Sequence, residues 1–166
     1  IGAPIVDILA RLGFPVAVWT RTPRRIDGAE SFAGPGELAS FLARSAILVC
    51  ALPLTSATRS LLAARAFAML PRGAFVINVS RGAVLHEDDL AAAVDAGRIA
   101  GATLDVFEVE PLPATSPLWR HPKILCTPHI AATPRPDVAA RQFLENLRRA
   151  RTGEPLANLV DRGRGY

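Results

Sequence analysis

Apolar residues along the chain switch between two spacings. Ile5, Ile8, Leu9 and Leu12 recur at helical intervals, and Gly13 follows as a stop. Residues 16–19 form a short apolar run, with Pro15 tolerable at its start. Residues 20–35, rich in Arg, Pro and Gly, read as loop. Leu38, Phe41 and Leu42 predict a short helix, and residues 47–52 a continuous apolar strand. Leu61, Leu62, Phe67 and Leu70 mark a broken helical stretch, followed by a strand over 74–79. Glu87, Asp88 and Asp89 place three acids at a helix start, favourable for its dipole, with Leu90, Ala93 and Val94 facing inward and Gly97 as the cap. Residues 102–106 and 124–126 read as two further strands. Phe143, Leu144 and Leu147 form the apolar face of a last helix whose outer face carries Arg141, Glu145, Arg148 and Arg149. Short strands alternating with amphipathic helices predict an α/β, doubly wound fold: a parallel sheet covered on both faces. Such folds place ligands at the carboxyl ends of their strands.

The sequence opens directly into a helix. In a dinucleotide-binding unit the central strand and a G-x-G-x-x-G fingerprint come just before that helix. Gly2 is well placed to be the last glycine of such a fingerprint. The residue that reads the ribose should lie about 20 residues on, where the 16–19 run ends. The expectation is a longer natural protein whose first strand and most of whose fingerprint lie outside these 166 residues. A sheet without its centre would leave backbone groups unpaired in the core.

Composition narrows the class. The length suits one domain, or one domain and a fragment of another. Half the residues are hydrophobic, which excludes a disordered chain, and Pro and Gly follow no period, which excludes collagen-like and solenoid folds. The longest apolar run, 46–54, contains Pro53 and falls short of the roughly 18 residues that span a bilayer. No secretion pattern opens the sequence, and Cys50 and Cys126 sit in apolar runs, so both are expected as buried thiols in a reducing cytoplasm. Lys+Arg 19 against Asp+Glu 15 gives a net charge of +4. The basic residues, with Lys123 the only lysine, are scattered, and aromatics make up 6% of the chain. A nucleic-acid footprint would concentrate charge on one face with interleaved aromatics, so no nucleic-acid partner is expected.

Three stretches follow predicted strands: Asn78-Val79-Ser80-Arg81-Gly82, Leu104-Asp105-Val106-Phe107-Glu108-Val109-Glu110-Pro111, and Thr127-Pro128-His129-Ile130-Ala131. They bring an arginine, acids and a histidine to the ligand end of the sheet. Arginine can clamp a carboxylate with a bidentate fork. Histidine can give or take a proton near neutral pH, and a neighbouring carboxylate orients its ring. Together they suit reduction of a ketone next to a carboxylate. Taken singly, each has a plainer reading. Arg81-Gly82 could be a turn with a solvated charge, and Glu110 before Pro111 the end of a strand. His121 in a loop and His86 beside a helix start read as surface residues.

With these motifs the sequence resembles the cofactor-binding half of the D-isomer-specific 2-hydroxyacid dehydrogenase family. The resemblance rests on Leu52-Pro53-Leu54-Thr55 with Thr58, the three stretches above with Ala132, and Ser116-Pro117-Leu118-Trp119, all in the family's order. Trp19-Thr20-Arg21-Thr22, Ser31-Phe32-Ala33-Gly34 and the ending Val160-Asp161-Arg162-Gly163-Arg164-Gly165-Tyr166 are more narrowly similar to its glyoxylate/hydroxypyruvate reductase branch. The resemblance implies a Rossmann-like dinucleotide-binding domain over residues 1–133. It implies that residues 134–166, after a hinge at Thr133-Pro134-Arg135-Pro136, return to a substrate domain most of which is absent. Arg81 would hold the carboxylate and carbonyl of a small 2-oxo acid, His129 would protonate the carbonyl oxygen as hydride arrives, and Glu110 would pair with His129. The family's Glu-Pro ending selects Glu110 over Glu108. Asp105 would hydrogen-bond the nicotinamide amide, Val79 and Ala131 would border the nicotinamide, and Leu52, Pro53 and Thr58 would lie on the cofactor's other side. NAD-preferring relatives place an acid after the second strand. Here Thr20 and Arg21 stand there, with Arg24 and Arg25 close behind, and can bind a 2′-phosphate, so NADP is expected over NAD. No residue is assigned to a metal, and a homodimer is expected. Alternatives are a non-catalytic, corepressor-like dinucleotide sensor, a structural α/β domain, or a sibling enzyme acting on phosphoglycerate, lactate or formate.

Overall fold

The structure is a computed structural model that describes residues 2–132 and 135–163. Five helices and six strands alternate. Helix α1 (Gly2–Arg11) leads into β1 (Val16–Thr20), β2 (Ala29–Ala33) and α2 (Gly34–Ala43). Strand β3 (Ile47–Cys50), α3 (Ala64–Met69), β4 (Ala74–Asn78), α4 (Glu87–Asp95), β5 (Ile99–Leu104) and β6 (Ile124–Cys126) follow, and α5 (Pro136–Thr152) comes last. Every strand pair is parallel. The fold is the expected Rossmann-like α/β architecture, arranged as a two-stranded sheet β1-β2 and a four-stranded sheet β3-β4-β5-β6.

The parallel register explains the continuous apolar runs. Leu48 pairs with Val76 and Cys50 with Asn78, so one face of the sheet carries Leu48, Cys50, Val76, Asn78 and Leu104, all buried. Helices α2 and α3 pack together, as do α3 and α4, and α4 packs on β5. Phe67, Leu70, Leu85, Leu90, Val94 and Ile99 complete this core. Each such fully buried side chain contributes about 1.5–3 kcal/mol relative to exposure. The opposite face is less covered than the run of apolar residues predicts: Val49, Phe75 and Ile77 are half-buried, and Ile47 and Leu125 are exposed. Burial therefore alternates along β4, although its sequence does not.

Several boundaries differ from the pattern reading. Residues 20–35 are not all loop, because 29–33 form β2. Its pairing with β1 is a backbone matter, and its side chains are mostly exposed or half-buried, so no apolar run announces it. Strand β3 ends at Cys50, before Leu52, and β5 begins at Ile99 rather than 102, pairing there with Ala74. The broken stretch at 61–70 resolves into a bridge between Leu62 and Leu85 and the six-residue α3. Two of the three acids at the start of α4 do more than offset its dipole. Asp89 accepts the backbone N–H of Ala64 at 2.8 Å, satisfying the start of α3, and Glu87 accepts that of Glu108 at 2.7 Å. Of the two thiols expected as buried, Cys50 is, whereas Cys126 on the short β6 is half-buried. Part of the expected hinge (Thr133 and Pro134) and Arg164, Gly165 and Tyr166 lie outside the described residues.

Candidate active site

Register alone aligns the three chemistry-bearing loops. Asn78 pairs with Leu104, and Leu104 with Cys126, so the chain leaves β4, β5 and β6 at one level of the sheet. Neighbouring strands lie about 4.8 Å apart, which places Val79, Asp105 and Thr127 side by side at the carboxyl edge.

The first loop is built around the buried amide of Asn78. Its Oδ1 accepts from the backbone N–H of Ser80 (3.1 Å) and the Ser80 hydroxyl (2.7 Å), while Nδ2 donates to the carbonyl of Arg81 (3.3 Å). The chain is thereby turned so that Arg81, whose side chain is exposed, precedes a single 3-10 turn, Gly82–Val84. Arg81 also donates to the carbonyl of Ser80 at 2.6 Å. Gly82 is there for room. A Cβ would sit 1.8 Å from the carbonyl carbon of Phe107 and 2.3 Å from the nitrogen of Glu108, so this loop lies directly against the one carrying Glu110.

The second and third loops meet side chain to side chain. Glu110 Oε2 and His129 Nδ1 are 2.8 Å apart, and Glu110 Oε1 accepts the backbone N–H of Phe107 at 2.9 Å. The amide of Phe107 first, then the hydrogen bond to His129, hold the Glu110 carboxyl below its ordinary value against a smaller opposing effect of burial. The charges of His129 and Arg81 add to this, so Arg81 lies within electrostatic reach of the pair. A carboxylate ionised at neutral pH thus engages Nδ1 and leaves Nε2 as the ring atom free for proton transfer. Asp105, 2% exposed, accepts from the Thr127 hydroxyl (2.5 Å) and the backbone N–H groups of Ile130 (2.9 Å) and Ala131 (2.8 Å). Burial pushes the Asp105 carboxyl up, but those three donors and the charge of His129 outweigh it and bring it below its ordinary value.

The other residues singled out from the sequence lie on several elements. Val79 donates its N–H to Cys50 across the strand ends. Leu52 packs on the core, Pro53 is exposed, and the Thr58 hydroxyl donates to the Pro53 carbonyl (2.7 Å) and accepts from the Thr55 N–H (2.8 Å), shaping that loop from within. Thr20, ending β1, donates to the carbonyl of Thr22 at 2.8 Å, and Arg21 is exposed beside it. Gly2 opens α1 with no atom within 4 Å of where a Cβ would stand. Glu108 is exposed, and its backbone N–H donates to Glu87. His121 is a correction: its side chain is 13% exposed, pairs with Asp95 at 3.1 Å and accepts the Lys123 N–H, so it is structural rather than a surface residue. His86 pairs with Asp89 and stays partly exposed. The pattern reading missed the supporting roles of Asn78, Gly82, Glu87 and Thr127. For Asn78 the available signal was a polar amide ending an apolar strand.

The parallel sheet with its loops at the carboxyl edge is the architecture of a dinucleotide-binding domain, and comparison gives the family. A profile described as D-isomer specific 2-hydroxyacid dehydrogenase, NAD binding domain, matches residues 1–131, and the chain belongs to that family. It is 45% identical over all 166 residues to a Yersinia enterocolitica protein named glyoxylate/hydroxypyruvate reductase A, and covers 53% of it. A D-isomer specific 2-hydroxyacid dehydrogenase from Xanthobacter autotrophicus Py2, solved with NADPH and MES, is 53% identical. It superposes with a TM-score of 0.97 over 99% of this chain and 68% of its own. An NADPH-dependent glyoxylate/hydroxypyruvate reductase from Sinorhizobium meliloti, in complex with NADP and sulfate, is 38% identical with a TM-score of 0.93. That comparison covers 99% of this chain and 54% of the other. The chain spans about half the length of the curated relatives it matches.

Proposed function

We propose that the protein of which this chain forms the dinucleotide-binding domain reduces a small 2-oxo acid, glyoxylate or hydroxypyruvate, to the 2-hydroxy acid with NADPH. The observation that carries the reading is the 2.8 Å contact between Glu110 and His129, with Arg81 on the adjoining loop. The carboxyl ends of parallel strands suit a dinucleotide: Val79, Asp105 and Ala131 line one stretch of that edge, and Leu52, Pro53 and Thr58 the next. Thr20 and Arg21, with no acid beside them at the end of β1, favour a 2′-phosphate and hence NADP over NAD. Bound there, NADPH would supply the hydride.

The chain's own residues do the rest. Arg81 clamps the substrate carboxylate and polarises its carbonyl. His129 gives the Nε2 proton to the carbonyl oxygen as the carbon accepts hydride, and Glu110 balances the charge of the protonated ring. After reduction the imidazole is neutral and recovers its proton from water. NADPH oxidation by the full-length protein with glyoxylate tests this. Activity is expected for the native enzyme and a loss of about 10²–10⁴-fold for His129→Ala, the range for removing a general acid. An active His129→Ala enzyme, or preference for NADH, would contradict it.

Domain organisation, assembly and location belong to the same proposal. Residues 1–133 form the dinucleotide-binding unit, and 134–166 return to a substrate domain. In support, α5 buries none of its residues here, leaving Phe143 and Leu144 more than half exposed. A cytoplasmic homodimer is expected, and sedimentation of the full-length protein tests the dimer. Among the described residues no helix is long and apolar enough to cross a membrane.

A further inference from the structure

The buried thiol of Cys50 takes no part in the proposed chemistry. Cys50 ends β3 and is 4% exposed, and its carbonyl accepts the backbone N–H of Val79 at 3.1 Å. Its sulfur stands 3.2 Å from the hydroxyl of Ser80, the residue before Arg81. The direction of that bond follows from the neighbours. The single hydroxyl proton of Ser80 goes to Asn78 Oδ1, which can only accept, so the thiol is the donor. Burial outweighs the hydrogen bonds of Ser80 and Leu52 and holds the Cys50 thiol above its ordinary value of 9.0, so it keeps the proton it donates. The backbone N–H of Leu52 in turn donates to the sulfur. One side chain thus joins the segment at Leu52 to the loop that carries Arg81. On that loop the Arg81 guanidinium folds back onto the Ser80 carbonyl at 2.6 Å, which ties its direction to the place of Ser80.

We infer that Cys50 and Ser80 are a positioning pair for Arg81. The bonds from Cys50 to Ser80 and from Ser80 to Asn78 fix the arginine's loop against the end of β3. They thereby set where the substrate carboxylate lies relative to the segment at Leu52. The inference rests on the reading of Arg81 as the carboxylate clamp, and neither member of the pair needs to touch substrate or cofactor. The pair meets a geometrical need. A guanidinium fork grips a carboxylate with two parallel bonds only in a narrow range of orientations, and Arg81 is exposed, so burial does not hold it. A thiol or a hydroxyl at position 50 serves, because each can donate to Ser80 and accept from Leu52, whereas a methyl can do neither.

Steady-state kinetics of the full-length protein test the pair. Ser80→Ala keeps the backbone N–H on Asn78 Oδ1 and removes only the hydroxyl link. The expected result is a KM for glyoxylate raised about 3–10-fold, the loss of one ordinary hydrogen bond. The kcat at saturation and the KM for NADPH are expected to stay within about 2-fold of native, as for an interaction that serves substrate binding. Cys50→Ala is expected to match Ser80→Ala, the double variant to be no worse than either, and Cys50→Ser to recover most of the loss. Lower stability with an unchanged glyoxylate KM would leave the pair a purely structural role and overturn the inference, as would additive effects in the double variant. If Ser80→Ala does not fold, Cys50→Ala against Cys50→Ser decides by the same comparison. In the amide NMR spectrum the Leu52 and Arg81 signals are expected to move in Cys50→Ala, and unmoved signals would refute the joint. If the native protein reduces no 2-oxo acid, the proposed function fails while these amide signals still decide the role of Cys50.

Discussion

A Cβ added at Gly82 would stand 1.9 Å from the carbonyl oxygen of Phe107, backbone against backbone, so the Glu110 loop must move. Gly82→Ala is therefore expected to destabilise the fold by about 1–3 kcal/mol, the usual cost of overpacking, and to lower kcat, measured by urea unfolding and steady-state kinetics. An alanine variant as stable and as active as the native protein would show that the two loops do not constrain each other. Glu110→Gln separates charge from shape. It keeps an acceptor for His129 Nδ1 but removes the anion that balances a protonated ring. The expected result is a kcat lower by about 10²-fold with little change in substrate KM, since Arg81 still holds the carboxylate. Arg81, Glu110 and His129 stood out as ionisable residues in the loops after apolar strands, but each alone had a plainer reading, and only the family's Glu-Pro ending singled out Glu110 from Glu108. The supports did not stand out: the role of Gly82 depends on a backbone 25 positions away in the sequence, and that of Asn78 on the bend it stabilises.

Elements show a similar division. Strands β3, β4 and β6 and helix α4 announced themselves because burial against the α2–α4 layer demands apolar runs. Strand β2 did not, because Ala29–Ala33 is held by its ladder to β1 and buries little. Helix α3 is the least self-sufficient, with six residues, too few for a stable isolated helix. It is held at both ends from α4 and β5. Asp89 takes the Ala64 N–H, and the Arg98 guanidinium donates to the carbonyls of Phe67, Ala68 and Leu70. Arginine and aspartate in such positions read as surface charges in a sequence. Their partners lie 25 to 31 residues away and become neighbours only once the sheet forms. Arg98→Met keeps the apolar stem but leaves those carbonyls without their charged donor. It is expected to cost about 1.5–3 kcal/mol, as a lower urea midpoint at unchanged slope, with KM values retained.

At the scale of the whole molecule, the two acids of the site tie its stability to pH. Asp105 and Glu110 both titrate below their ordinary values of 3.8 and 4.5 when the chain is folded. As pH falls below those values the unfolded chain takes up protons that the folded one resists, so the unfolded state binds more protons and stability falls with it. Their contribution is present in full above 4.5 and is lost as the pH drops through the lower, folded values. Acids on α5 behave in the same direction: Glu145 is brought down to about 2 by Arg148 and Arg149, and Asp137 and Glu154 are lowered by neighbouring arginines. Those groups are exposed, and salt screens them. Glu110 is exposed as well, whereas the buried Asp105 is sheltered from that screening, which gives an experiment that separates the sources. Urea unfolding between pH 7 and 3 is expected to show a loss of stability on the acid side that persists at high salt. The combined Asp105→Asn, Glu110→Gln protein should lose less over the same interval, because its two amides have no proton to take up. An equal loss in both proteins would place the acid sensitivity in other groups than Asp105 and Glu110.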